Sequence, residues 1–308
     1  MTNASSVPSD SLEPYEPSVY RESIFQIYAA DIAYLFANVI AAARKPEFGG
    51  LNGGLTYPEG FPNNKEYFEK FRNDNVILRD FQGNDGMSLY QVTQLICANE
   101  EKFPKKVQES ETMRRMKKFK EEKMDDPDFC AEHSDPDYCA KDIFLEYFQC
   151  KQAEVSCVYG VFKDTRRKKI TVVFRGSQSG NRDWPSNLNQ FHKKMDTPDL
   201  AKEKMKKSAK EHVFVAKGFY EYLFANELME EKEKEQRYNQ ALMDIKSLIE
   251  EGNPHGYNVY IAGHSLGAAL AMLMAFKVQN QAFQSRSHVS PFRPHVLERL
   301  ALGMRLLN

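Results

Sequence analysis

Residues 259–276, VYIAGHSLGAALAMLMAF, constrain the fold more than any other stretch of the chain. An apolar, β-rich run leads into Gly263-His264-Ser265-Leu266-Gly267, and a long apolar helical pattern follows. A serine in G-x-S-x-G between a strand and a helix has the form of a nucleophile elbow. The small residues let the chain reverse so tightly that the hydroxyl stands at the strand tip. The first N–H groups of the helix then face the place where an oxyanion would form. His264 adjoins Ser265 in the same strained turn, so its side chain is expected to diverge from the hydroxyl and to serve packing rather than proton transfer.

The elements around this motif point to an α/β sheet. AEVSCVYGVFK and KKITVVFR, separated by the polar turn DTRR, read as a β-hairpin. Tyr238, Ala241, Leu242, Ile245, Leu248 and Ile249 recur at helical spacing just before the elbow strand. Strands alternating with helices in this way predict a sheet that is mostly parallel near its centre. Upstream, IFQIYAADIAYLFANVIAAA at 24–43 is almost long enough to span a bilayer, but Asp31 sits at its middle and shares a helical face with Asn38. A helix packed on the protein is the expectation, with membrane anchoring as the alternative. KKVQESETMRRMKKFKEEKMDDPD at 105–128 reads as a charged, solvated helix, because Met113, Met116 and Phe119 make only a thin apolar stripe. The expected organisation is a disordered lead over 1–19, a mainly helical extension over 20–152, an α/β core over 153–283 and an atypical tail over 284–308.

Charge and cysteine usage narrow the partners. A formal net charge of −1, with lysines and acids interleaved, gives no footprint for nucleic acid. The N-terminus lacks the basic and apolar regions of an ordinary secretory signal, and five irregularly spaced cysteines fit reduced thiols. A cytoplasmic location follows as the expectation, with membrane association through 24–43 as its variant. Cys130, His133, Cys139 and Cys150 lack the close ligand pairs of a zinc site, and no metal or organic cofactor is expected. The lysine-rich run KEKMKKSAKEH at 202–212 reads as a solvated face, or as a contact for anionic lipid headgroups.

Three blocks, ITVVFRGSQSGNRDW (170–184), VAKGFYEYL (215–223) and YNVYIAGHSLGAALA (257–271), together resemble the class 3 lipases, a branch of the α/β-hydrolases. The resemblance covers about 153–283 and implies hydrolysis of carboxylic esters, typically acylglycerols, through an acyl-enzyme. It implies Ser265 as nucleophile, with Leu266 and Ser177 forming the oxyanion hole. It also implies a lid after Ser177: Trp184, Leu188, Phe191 and Met195 fall on one face of a short helix that would cover an acyl groove, the alternative being a fixed surface helix anchored in the core by Trp184. Pro185 interrupts the usual hydrophobic continuation there, and Ala268 stands where a further glycine is common.

Acyl transfer by a serine needs a base and usually an acid to orient it, and the resemblance to α/β-hydrolases implies that they follow in the order Ser, Asp or Glu, His. Between Ser265 and Asn308 there is no Asp; the sole acid is Glu298, and His288 and His295 both precede it. The expectation is therefore a sequence that ends before its acid and base, with exposed sheet edges and weak activity. Participation of His288, His295 or Glu298 is the alternative. Expected partners are a lipid or ester substrate and peripheral contact with a membrane or lipid-droplet surface, and no nucleic acid. The rival function is a non-catalytic lipid-binding or regulatory protein that keeps the groove without the triad.

Overall fold

The computed structural model describes residues 19–44, 54–59, 61, 75–78, 86–121, 142–150, 157–177, 191–196, 212–224, 237–251 and 257–284. Its spine is a six-stranded sheet. Strands β1 (Asn75–Ile77) and β2 (Met87–Ser88) both pair with β3 (Ile143–Gln149). The order then runs through β4 (Tyr159–Asp164), β5 (Lys169–Phe174) and β8 (Asn258–Gly263). A separate ribbon joins β6 (His192–Asp196) to β7 (His212–Ala216).

The expected hairpin is present. β4 and β5 pair antiparallel, and the turn between them is tied by Asp164, which accepts from the Arg167 backbone N–H at 2.8 Å and from its guanidinium at 2.6 Å. The mostly parallel centre is not found among the described residues, where β5·β8 is the parallel pair and the other pairings of this sheet are antiparallel. The tight turn between β4 and β5 can only bring the chain back antiparallel, whereas the long path from β5 to β8 allows their parallel pairing.

Side-chain alternation gives the sheet two apolar faces. Tyr159, Val161, Ile170, Val172 and Phe174 join one buried cluster, while Phe162 and Val173 join the other. Along β3 the parity changes at a bulge between Leu145 and Tyr147: Ile143 and Leu145 face one cluster, Tyr147 the other, and Phe148 returns to the first. The extra residue shifts every later side chain to the opposite face.

Helix α1 (Val19–Ala43) covers the first face with α2 (Leu89–Ala98), the short α3 (Lys105–Gln108) and α4 (Glu111–Glu121). Helix α2 starts with a capping box in which Ser88 and Gln91 satisfy each other's backbone N–H groups. Helices α5 (Lys217–Phe224), α6 (Arg237–Glu251) and α7 (Leu266–Gln284) cover the second face. On α6, Tyr238, Ala241, Ile245 and Leu248 are buried, and the Tyr159 hydroxyl donates to Asp244 at 2.9 Å. Burial, with the negative Asp244 beside it, holds that phenol well above its ordinary pKa.

Two further expectations are corrected here. Met113, Met116 and Phe119 are buried, at 0%, 0% and 1% exposure, so α4 is a core helix despite its charges. Its lysines and arginines occupy the outer face and leave a narrow stripe that is enough to pack. The boundary expected at 152/153 falls within one sheet, because β1, β2 and β3 pair outward from β4 and α1 lies directly on the strands. Among the described residues, Phe25–Ala43 is long and apolar enough to cross a membrane by length and composition, and 67% of that window is buried inside the protein.

Candidate active site

Parallel pairing of β5 with β8 builds the site. Phe174 and Gly263 are partners at the end of the ladder, so both strands release their chains at the same edge of the sheet. Chain segments leaving the carboxyl ends of adjacent parallel strands line the usual functional crevice of an α/β sheet. From β5 come Arg175, Gly176 and Ser177; from β8 come His264 and Ser265.

Ser265 has φ = +56°, a left-handed conformation at a residue that carries a side chain. That geometry costs about 1–2 kcal/mol and lets the chain turn back at once into α7. The turn is closed by Gly267 N–H to the His264 carbonyl and Ala268 N–H to the Ser265 carbonyl, both 2.9 Å. The N–H of Leu266 takes no partner among the described residues, which leaves it available to an oxyanion beside the exposed Ser265.

The glycines are steric requirements of this packing. A Cβ on Gly263 would collide with the Gly267 carbonyl, and one on Gly267 with the Phe174 carbonyl. A Cβ on Gly176 would meet both the Tyr34 hydroxyl and the His264 carbonyl. The Gly176-Ser177 turn is thereby seated directly on the elbow. The Gly176-Ser177 and His264-Ser265 segments, 88 positions apart in sequence, meet because one strand pairing aligns them.

His264 is exposed and turns toward α1. Its ring lies edge-on to Tyr34 at 6.2 Å between centroids, and Nδ1 is 3.5 Å from the Tyr34 hydroxyl, at the limit of a hydrogen bond. A pocket of about 120 Å³ opens there, lined by Ala30, Asp31, Tyr34, Arg115, Gly263 and His264. In its wall Arg115 donates to both carboxylate oxygens of Asp31, at 2.7 and 2.8 Å. Burial pushes the Asp31 carboxyl above its usual range, against the opposing pull of Arg115.

Among the described residues, no side chain hydrogen-bonds the Ser265 hydroxyl. His288, His295 and Glu298 lie outside the described residues, as do Trp184, Pro185 and Leu188. The helical spacing expected to run through Met195 is overturned at its end, where 192–196 is strand β6. Phe191 precedes that strand and is 78% exposed, while Met195 packs into the core at 7%. An i, i+4, i+7, i+11 pattern ignores the partner strand β7, whose ladder captures these residues. Of the cysteine and histidine set, Cys150 is buried with an Arg44 N–H 3.6 Å from its sulfur, and Cys130, His133 and Cys139 lie outside the described residues. The 202–211 part of the basic run is outside them as well.

Tyr34, Asp31 and Arg115 are the site neighbours that the sequence did not assemble. A lone acid in the middle of an apolar helix was the visible signal, but its partner is 84 residues away.

Ser265 thus stands on a strand-turn-helix elbow beside the Gly176-Ser177 turn of the neighbouring parallel strand, an α/β arrangement similar to that of the class 3 lipases. The family model for Lipase (class 3) matches residues 171–293. Among solved structures, a Rhizomucor miehei lipase propeptide complex is 21% identical with a TM-score of 0.31, over 46% of this chain and 36% of that one. A fungal lipase–inhibitor complex described as a model for interfacial activation is 23% identical with a TM-score of 0.30, over 46% of this chain and 44% of that one. The chain thus spans less than half the length of these solved lipases. A comparison with curated protein sequences finds no match.

Proposed function

We propose that this chain is a serine ester hydrolase of lipase type, acting on acylglycerols or related lipid esters through an acyl-enzyme. The observation that carries the reading is Ser265 held at φ = +56° beside the Leu266 N–H, which takes no partner among the described residues. Ser265 Oγ attacks the ester carbonyl and its proton passes to a base. Negative charge gathers on the carbonyl oxygen, where Leu266 and the Ser177 turn supply donors. Collapse expels the alcohol, which takes the proton, and water then releases the acid by the same steps in reverse order. Loss of one oxyanion donor is expected to cost roughly 100- to 1000-fold in turnover. The match of 171–293 to the lipase family supports the same assignment, and a lipid or ester is the substrate class it favours. No metal or organic cofactor enters these steps.

The rival reading is a lipid-binding or regulatory protein that keeps the groove without catalysis. Fluorophosphonate labelling mapped by mass spectrometry, with Ser265→Ala as control, separates the two. Modification at Ser265 supports the hydrolase and directs attention to His288 and His295 as bases. A folded chain that stays unlabelled supports the binding protein.

A further inference from the structure

Helix α1 is apolar along most of its length, yet Asp31, Tyr34 and Asn38, at i, i+3 and i+7, make a polar stripe down one side of it. Asp31 and Tyr34 line the pocket beside His264. The stripe is held in place: Arg115 grips Asp31 from α4, and Asn38 Nδ2 donates to the Tyr34 carbonyl one turn back at 2.9 Å. Packing α1 on the sheet needs no phenol, since Phe25 and Phe36 do it with plain rings against Phe162 and Phe148. Tyr34 differs in reaching the strand-end turns through its oxygen. The hydroxyl stands in the space that a side chain on Gly176 would fill, with the His264 ring on its other flank.

That place matters because the β5–β8 ladder ends at Phe174 and Gly263. Ser177 and Leu266, whose N–H groups are the oxyanion donors of the mechanism above, each lie three positions beyond the ladder on separate strands. Their spacing is therefore a matter of how the two turns pack, and Gly176 and His264 are where a third element touches both. Resting on the hydrolase reading, we propose that Tyr34 is a positioning residue for the oxyanion hole. Its hydroxyl, seated against Gly176 and His264, sets the spacing between the Ser177 and Leu266 N–H groups. Tyr34 acts through the two turns and leaves the bond making to Ser265. Removing the oxygen opens a gap of about one atom between the turns, and a misplacement of about 1 Å at a reacting centre costs on the order of 100-fold.

The test compares two rates of Ser265 labelling in the full chain, mapped by mass spectrometry. One reagent is a fluorophosphonate, and the other is its analogue with sulfur in place of the phosphoryl oxygen. An oxyanion hole is shaped for oxygen, and sulfur is a larger and weaker acceptor, so the ratio of the two rates reports donor placement. Tyr34→Phe keeps the half-buried ring and should lower the oxygen reagent's rate by about tenfold, a part of what losing a whole donor costs. The sulfur reagent's rate should hardly change, so the ratio falls by about the same factor. Phe36→Leu loosens α1 where it meets β3, two strands from β5, and should lower the melting temperature without moving the ratio. Circular dichroism confirms that both variants are folded. An unchanged ratio in Tyr34→Phe, an equal fall of both rates, or an equal drop of the ratio in Phe36→Leu would each overturn the proposal. All three leave Ser265 reactive and the hydrolase reading in place. An unsubstituted chain that takes no label at Ser265 overturns the hydrolase reading instead, and with it the oxyanion hole that Tyr34 would position.

Discussion

Arg115 of α4 grips Asp31 of α1 with two parallel hydrogen bonds, Nε to Oδ2 at 2.7 Å and Nη2 to Oδ1 at 2.8 Å. The pair fastens the outer helical layer to the helix that supports the elbow, in the wall of the pocket that reaches His264. Asp31 is 6% exposed and Arg115 38%, so the carboxylate bears the desolvation and the guanidinium stays partly in water.

Arg115→Met should destabilise the fold by about 2–3 kcal/mol. That is below the roughly 3–5 kcal/mol expected for breaking a fully buried pair, because Arg115 is more than a third exposed. Burial already raises the Asp31 carboxyl above its unfolded value. The native state therefore holds the proton more tightly than the unfolded chain, and Asp31 contributes most below its unfolded pKa and less as pH rises through its folded value. Without Arg115 that rise is larger. Urea denaturation should show the variant's deficit growing as pH rises above the ordinary carboxylate range, and Arg115→Met on an Asp31→Asn background should lose that slope. A deficit independent of pH would remove the ionic explanation.

Ser265 bears strain that glycine would not. Ser265→Gly should therefore be more stable than Ser265→Ala by about 1 kcal/mol, although alanine is ordinarily the better residue. Thermal unfolding of the two variants checks this, and the reverse order would mean that the elbow is relaxed in solution. Gly267→Ala should be worse than either, because the obstacle is the Phe174 backbone and cannot swing aside.

Phe119→Ala and Met116→Ala should each cost about 2–5 kcal/mol by denaturant titration, as core truncations do. Losses under about 0.5 kcal/mol, the range of ordinary surface changes, would return α4 to solvent.

Cys157 is fully buried, and burial pushes its thiol up to about 12. In the unfolded chain it titrates near 8.5, so its contribution to stability is complete below that pH and is lost as pH rises toward the folded value. Iodoacetamide should modify Cys157 only after denaturant is added, even at mildly alkaline pH, whereas modification of the native protein at the rate of a free thiol would place Cys157 at the surface.

The legible parts of this chain were local. The elbow, the β4–β5 hairpin and helix α6 follow from glycine sterics, turn chemistry and apolar spacing within a few residues, and they were read correctly because nothing distant competes for those groups. Met195 was misread because strand β7 supplies hydrogen bonds that no periodicity in 184–195 announces. Met113, Met116 and Phe119 were misread because a three-residue stripe looks thin until α1 and α2 are laid against it.

By itself, then, the sequence determined the strand-serine-helix turn. Tertiary structure alone decided that residues before 153 belong to the same sheet and core, and that Tyr34 and the Asp31–Arg115 pair stand beside the elbow. The physical reason is range. A turn is fixed by the torsions and sterics of adjacent residues, whereas a pairing across 84 positions is chosen by burial of the whole chain, and only the assembled core selects it.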